Sequence, residues 1–397
     1  KMGVYSQWFR IPRDIVFGPD SLSYLESLKG QRAFIVTDKV CNDLGFVKKV
    51  QDHLEVAGIA SAVFDDVEQD PSRGTVQKGA KLMSEFNPDI IIGLGGGSCI
   101  DAGKAMWIFY EYPDAKWEEI FVPITGVPKL RNKAIYVAIP STSGTATEVT
   151  LAAVISNRDV VPNTKEFTLS YEVTPDIAIC DPALPATMPP AVTANTGFDV
   201  IVHATEAYVS VNATDLTDPI AVAAVAQAYK WLPIAYANGS NMLAREKMHN
   251  ASLMAGFTFT NTALGLCHST AHQIGAEYHI PHGLANAIML PYAVQYNAPG
   301  ASERYATLAR AIGYDSKTPL EGTQKYVQAI RDMQKILNIP GSIKEAGVDE
   351  ADFKAKLDGM VRNAMADGST PPNPRIPTLK DIEGIYLNAY YGKDTIF

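Results

Sequence analysis

The chain has 397 residues, 47% of them hydrophobic and 19% charged, with a formal net charge of −9. That length exceeds what one hydrophobic core ordinarily supports, so two domains are expected, and the composition is that of a folded globular protein, not a disordered one. A net negative charge argues against nucleic acid or an anionic membrane as the main partner, because both select a basic face.

The four cysteines, Cys41, Cys99, Cys180 and Cys267, lie far apart and form no C-x-x-C pair. Neither a disulfide framework nor a zinc ribbon is indicated, and a reducing cytoplasm fits. No apolar run reaches the about 18 residues a membrane helix needs. The start, Lys1-Met2-Gly3-Val4-Tyr5, lacks a signal-type apolar core, so a soluble cytoplasmic protein is expected. Because Lys1 precedes Met2, the chain is also compatible with a start inside a longer one.

From about residue 30 to 180, short β-rich runs alternate with helix-length segments. The runs are Ala33 to Thr37, Ala62 to Phe64, Asp89 to Leu94 and Tyr136 to Ile139; the helical patterns lie near residues 44–58, 73–86 and 99–111. This is the rhythm of a parallel sheet covered on both faces.

Within this half, Gly95-Gly96-Gly97-Ser98 follows a strand and precedes a helix, so its backbone N–H groups can face a phosphate at a helix N-terminus. The usual dinucleotide fingerprint places the glycines after the first strand. Here they come later, and the acid comes earlier. Asp38 ends the strand Ala33 to Thr37, where its carboxylate can accept from both ribose hydroxyls and repel a 2′-phosphate, which favours NAD over NADP. The same residue equally suits a helix N-cap. A third loop, Pro140 to Glu148, is a run of hydroxyls and small residues at the carboxyl end of the Tyr136 strand, where ligands bind in such sheets.

The strand-like pieces Leu151 to Ile155 and Pro175 to Cys180 then give way to Asp181-Pro182 and Met188-Pro189-Pro190, which mark the expected domain boundary. The expected division is an α/β nucleotide-binding domain over 1–182 and an all-helical metal-binding and catalytic domain over 183–397. Apolar residues recur at three and four positions from Ala221 to Tyr236 and near 240–260, 284–296, 301–312, 319–337, 350–366 and 379–390.

The helical half carries the densest chemistry. The stretch Gly265 to Gly283 holds four of the seven histidines. His268 and His272 are four apart and share a face if helical; His282 follows Pro281, before which that helix must end. Upstream, Asp199 and His203 repeat the i, i+4 spacing. One carboxylate with several imidazoles suits Fe(II) or Zn(II) better than Ca or Mg, which want mostly oxygen. A nucleotide-binding half and a metal-bearing half together suggest hydride transfer at a metal-polarised oxygen in the cleft between them. No G-x-S-x-G elbow and no Walker A loop competes.

Gly95-Gly96-Gly97-Ser98-x-x-Asp101, Pro140-Ser-Thr-Ser-Gly-Thr145, Asn195-Thr-Gly-Phe-Asp199-x3-His203-Ala204-x-Glu206, and Cys267-His268-x3-His272 continuing to Pro281-His282-Gly283 resemble, in order and spacing, the iron-dependent (group III) alcohol dehydrogenases. The resemblance runs nearly end to end. It implies a dinucleotide-binding N-terminal domain, a helical C-terminal domain, and reversible NAD(H)-linked interconversion of primary alcohols and aldehydes.

It further implies Asp199, His203, His268 and His282 as ligands of Fe(2+), or Zn(2+). His272 then falls close to nicotinamide and substrate as a proton relay or a hydrogen-bond partner. Asp38, Gly95, Gly96, Gly97, Ser98, Thr142, Thr145 and Lys165 become the cofactor residues. Cys99 stands where Pro is frequent, and Asp70 where Asn often lies; His279 is expected to be wall. Two other readings accompany this one: the alcohol dehydrogenase half of a bifunctional, filament-forming aldehyde/alcohol dehydrogenase, and a polyol dehydrogenase of the glycerol or propanediol type. The expected partners are a small alcohol or aldehyde and further copies of the chain, as a homodimer or larger homo-oligomer.

Overall fold

The computed structural model describes residues 8–121, 126–158 and 164–395, which form two compact units. Of the described residues, one unit takes those within Pro12–Thr193 and Ala237–Leu253; the other takes those within Lys1–Ile11, Ala194–Tyr236 and Met254–Phe397.

The first unit is built on strands β1 (Asp14–Phe17), β2 (Arg32–Val36), β3 (Ala60–Phe64), β4 (Ile90–Gly95) and β5 (Ile135–Pro140). A hairpin of β6 (Ala152–Asn157) and β7 (Thr164–Leu169) follows, and then β8 (Ile177–Cys180). Six strands pair in parallel in the order β1-β8-β5-β4-β2-β3, while β6 and β7 pair antiparallel. Helices α1 (Lys39–Asp43), α2 (Phe46–Val56), α3 (Arg73–Phe86), α4 (Gly97–Glu111) and α5 (Trp117–Ile120) connect the strands.

Side chains alternate across the pleat, so each central strand feeds two cores. Ala33, Ile35, Ile90, Ile92, Leu94, Val137 and Ile139 pack with Phe46, Val50 and Leu54 on α2. Phe34, Val36, Ile91, Tyr136 and Ala138 pack with α3 and α4. Burial on both faces explains why β4 reads as the uninterrupted apolar run Ile-Ile-Ile-Gly-Leu-Gly. The strand order reverses at β4 and β2, and ligand crevices open at the carboxyl ends of strands at such a switch point. The Gly95 loop follows β4 and Asp38 follows β2, so both sit there.

Local signals set the helix ends. Ser72 caps α3 by accepting from Thr75 N, and Asn87, in the left-handed region, stops it ahead of Pro88. The helix expected near 44–58 is α2, and Gly45 at φ 77° sets it apart from the short α1 ahead of it, which the sequence reading did not mark.

The second unit draws on α6 (Pro190–Val209), α7 (Asp218–Ala237), α8 (Met242–Thr262), α9 (Leu266–Tyr278), α10 (His282–Ala311), α11 (Pro319–Ile336), α12 (Glu350–Ala366) and α13 (Leu379–Tyr391). The first unit also contains the opening residues of α6 and most of α8. The two helices expected at 284–296 and 301–312 run as one element, kinked at Ala301 just after Pro299. No described helix is long and apolar enough to cross a membrane.

Candidate metal centre and cofactor loops

Three helices of the second unit bring the metal-centre residues together. Asp199 and His203 stand one turn apart on α6, His268 lies in the first turn of α9, and His282 is the first residue of α10. Pro281 separates α9 from α10, and His279, exposed and left-handed, caps the end of α9. It stands outside the ligand cluster.

One ligand atom from each of Asp199, His203, His268 and His282 lies within 4.8 Å of the others. Asp199 Oδ2 is 3.8 Å from His203 Nε2, and its Oδ1 is 3.8 Å from Nε2 of both His268 and His282. Bonds of about 2.0–2.2 Å to one ion allow up to about 4.4 Å between ligand atoms, so the three carboxylate–imidazole separations fit. Three imidazoles and one carboxylate are the donor set expected of Fe(II) or Zn(II). Asp199, His203 and His268 are buried, whereas the His282 side chain is 44% exposed, which leaves one side of the centre open.

Gly283 makes this convergence possible. A Cβ there would meet Asn195 O, on α6, at 2.2 Å.

The surroundings fix how the ligands face. Glu206, one further turn along α6, accepts from Cys267 N at 2.6 Å, and its other oxygen lies 2.5 Å from His268 Nδ1. A carboxyl oxygen that accepts from Nδ1–H turns the lone pair of Nε2 toward the cluster. Burial pushes the Glu206 carboxyl up to about 8, against the bonds it accepts from the backbone of Cys267, His268 and Gly265. Burial, reinforced by the imidazoles of His203, His282 and His272, pushes His268 well below its ordinary value, so it stays a neutral donor. Asn286 completes the inner wall, with Nδ2 2.8 Å from Asp199 Oδ1.

His272 is not one of the four. Its ring packs against that of His282 at 5.5 Å, and its Nδ1 lies 2.8 Å from Asp367 Oδ2. Burial alone would raise the Asp367 carboxyl, but the His272 imidazole and the bonds from Ser369 outweigh it and hold it below the ordinary range.

The cofactor candidates gather in the first unit. Gly95 has φ 140°, where a Cβ would stand 2.7 Å from Cys99 Sγ, so only glycine suits. Gly96 is the N-cap of α4. Thr142 and Thr145 press on the loop, 3.6 and 3.1 Å from where Cβ atoms on Gly96 and Gly97 would be. Between them, Ser143 Oγ lies 2.9 Å from Nδ1 of His249, a buried imidazole that burial pushes down to about 4.

Asp38 caps α1 by accepting from Cys41 N at 2.7 Å, and it also accepts from Cys99 Sγ. It lines a cavity of about 490 Å³ with Asp65, Asp66, Glu68, Gly96 and Ser98. Lys165, on β7, pairs with Asp70, whose backbone N–H lies 3.4 Å from Ser98 Oγ.

Glu206, Asn286 and Asp367 escaped the sequence reading as working residues. Glu206 continues the Asp199–His203 stripe at i+7, and Asn286 lies at i+4 from His282, so both carried a helical-spacing signal. Asp367 is 95 positions from His272 and carried none.

A parallel sheet with a glycine turn at its switch point, and a helical unit holding one carboxylate and three imidazoles, define a metal-dependent, nucleotide-linked dehydrogenase. The sequence pattern of iron-containing alcohol dehydrogenase matches residues 12–182, and that of the Fe-containing alcohol dehydrogenase family, C-terminal, matches residues 193–390. The NADPH-dependent butanol dehydrogenase of Clostridium saccharobutylicum is 44% identical over 98% of this chain and 99% of its own. Aldehyde-alcohol dehydrogenase 2 of Entamoeba histolytica is 41% identical over 97% of this chain, which spans only 47% of that relative's length. The crystal structure of a 1,3-propanediol oxidoreductase superposes with a TM-score of 0.91 at 34% identity, covering 97% of this chain and all of that one. The chain belongs to the iron-containing alcohol dehydrogenase family, and it is an alcohol dehydrogenase of the metal-dependent kind.

Proposed function

We propose that the chain interconverts a short-chain primary alcohol and its aldehyde with NAD(H), using Asp199, His203, His268 and His282 to hold Fe(2+). The convergence of these four ligand atoms carries the reading. A divalent cation held there would supply Lewis acidity, lowering the pKa of an alcohol toward neutrality or polarising an aldehyde.

The chain's own groups do the rest. Backbone N–H groups of Gly96, Gly97 and Ser98 at the start of α4 bind the pyrophosphate, with Thr142 and Thr145 against them. Asp38 accepts from the adenosine ribose hydroxyls. It shares its cavity with Asp65, Asp66 and Glu68, and this cluster of carboxylates repels a 2′-phosphate, favouring NAD even though the butanol dehydrogenase relative is named for NADPH. Asp367 orients His272, which exchanges a proton with the substrate oxygen through Nε2. We place the enzyme in the cytoplasm as a homodimer or larger homo-oligomer.

A second reading, the alcohol-forming half of a bifunctional aldehyde/alcohol dehydrogenase, draws on the half-length match to the Entamoeba relative; a propanediol-type substrate draws on the 1,3-propanediol oxidoreductase likeness.

The test is His268→Ala, with bound metal and turnover measured on anaerobically loaded protein. The substrates are a series of primary alcohols and diols with NAD+ and with NADP+. Metal loss and a fall in turnover beyond the roughly 10–100-fold cost of losing an outer partner are expected. Retained metal with full activity removes His268 from the site, and a preference for NADP+ overturns the role given to Asp38.

A further inference from the structure

Asn286, on α10 and fully buried, reaches the interior of the ligand set. Its Nδ2 lies 2.8 Å from Asp199 Oδ1, 3.0 Å from His268 Nε2 and 3.1 Å from His282 Nε2. These atoms belong to three of the four residues that converge at the metal centre. The orientation of the amide is set by Asp199, whose carboxylate oxygen can only accept, so Nδ2 and not Oδ1 faces the cluster. With Glu206 on Nδ1 of His268, the Nε2 atom offers a lone pair, so the amide N–H groups donate into the cluster.

A cation held by Asp199, His268 and His282 would take up the lone pairs that Nδ2 now faces. An amide nitrogen has no lone pair to give, and its N–H dipoles would point at a positive charge.

Building on the metal-centre reading, we propose that Asn286 competes with the cation: its amide holds Asp199, His268 and His282 assembled by hydrogen bonds and must turn away when the ion binds. Asn286 thus weakens metal binding while keeping the ligand set in place. The opposite role, an outer partner that only steadies Asp199, would strengthen binding, so the two differ in sign.

The experiment measures Zn(II) affinity by competition with a chromogenic chelator, together with melting of metal-stripped and Zn-loaded protein, for the native chain, Asn286→Ala and Asn286→Ser. Losing one or two donated bonds is expected to tighten binding about 5- to 30-fold. The stripped variants should melt below the stripped native protein, and the loaded variants alongside the loaded native protein. The serine variant keeps the test open if alanine does not fold. Affinity equal to or below that of the native chain overturns the proposal, and a tenfold loss would assign Asn286 the steadying role. Failure of the native chain to bind Zn(II) would instead remove the metal centre itself.

Discussion

Glu206→Gln separates a carboxylate that positions His268 from one that merely fills space. Two donors face the two Glu206 oxygens: Cys267 N at 2.6 Å and His268 Nδ1 at 2.5 Å. Glutamine keeps the shape but offers one oxygen and one NH2. If its oxygen takes the Cys267 N–H, the NH2 meets Nδ1. His268 must then carry its proton on Nε2, and the lone pair aimed at the centre is gone. If the oxygen takes Nδ1–H instead, the buried Cys267 N–H faces another donor. An unsatisfied buried donor costs about 1–3 kcal/mol, which for a unit of this size lowers the melting temperature by roughly 2–10 °C. The tautomer route costs metal affinity, about 10–100-fold by analogy with other outer-shell carboxylates. Calorimetry and metal titration under anaerobic conditions read the two terms separately. A glutamine variant that binds metal within twofold of native and melts within a degree of it would refute the positioning role.

Gly283→Ala places a methyl group 2.2 Å from Asn195 O, so α10 and α6 must part. Overpacking of this kind costs about 1–3 kcal/mol, and because Gly283 adjoins His282, metal stoichiometry should fall with stability; full metal loading would show that the two helices need not be so close. His249 gives a pH signature. Its folded-state value is pushed down to about 4 by burial, below the ordinary 6.5. The unfolded chain therefore binds a proton that the folded chain refuses, and stability is lost as pH falls from 6.5 to 4, by about 3 kcal/mol. Urea unfolding of native and His249→Gln protein between pH 7 and 4 should show the variant flatter by about that amount. Parallel curves would mean that His249 is not held neutral.

What could be read in the sequence, and what could not, divides along the range of the interactions. The strand over Asp89 to Leu94, the helix over 73–86 and the spacings Asp199-x3-His203 and His268-x3-His272 were legible because each is a local period imposed by a pleat or a helical turn. Even there, spacing alone did not tell His272 from a ligand. Both His268 and His272 lie on α9, yet only His268 joins the cluster, while Nδ1 of His272 meets Asp367, 95 positions away. The short strand β1 and the hairpin strand β7 carried too little alternation to stand out, and Met188-Pro189-Pro190 read as punctuation although Pro190 opens α6, where proline's missing N–H costs nothing. The return of 237–253 to the first unit is likewise unmarked locally: His249 sits within α8, and the partner of its Nδ1, Ser143, lies 106 positions earlier. The ligands of a metal centre can thus be legible when they repeat along a helix. The groups that orient them are drawn from wherever the fold happens to pass, and Glu206 is the exception because it continues the stripe its ligands began.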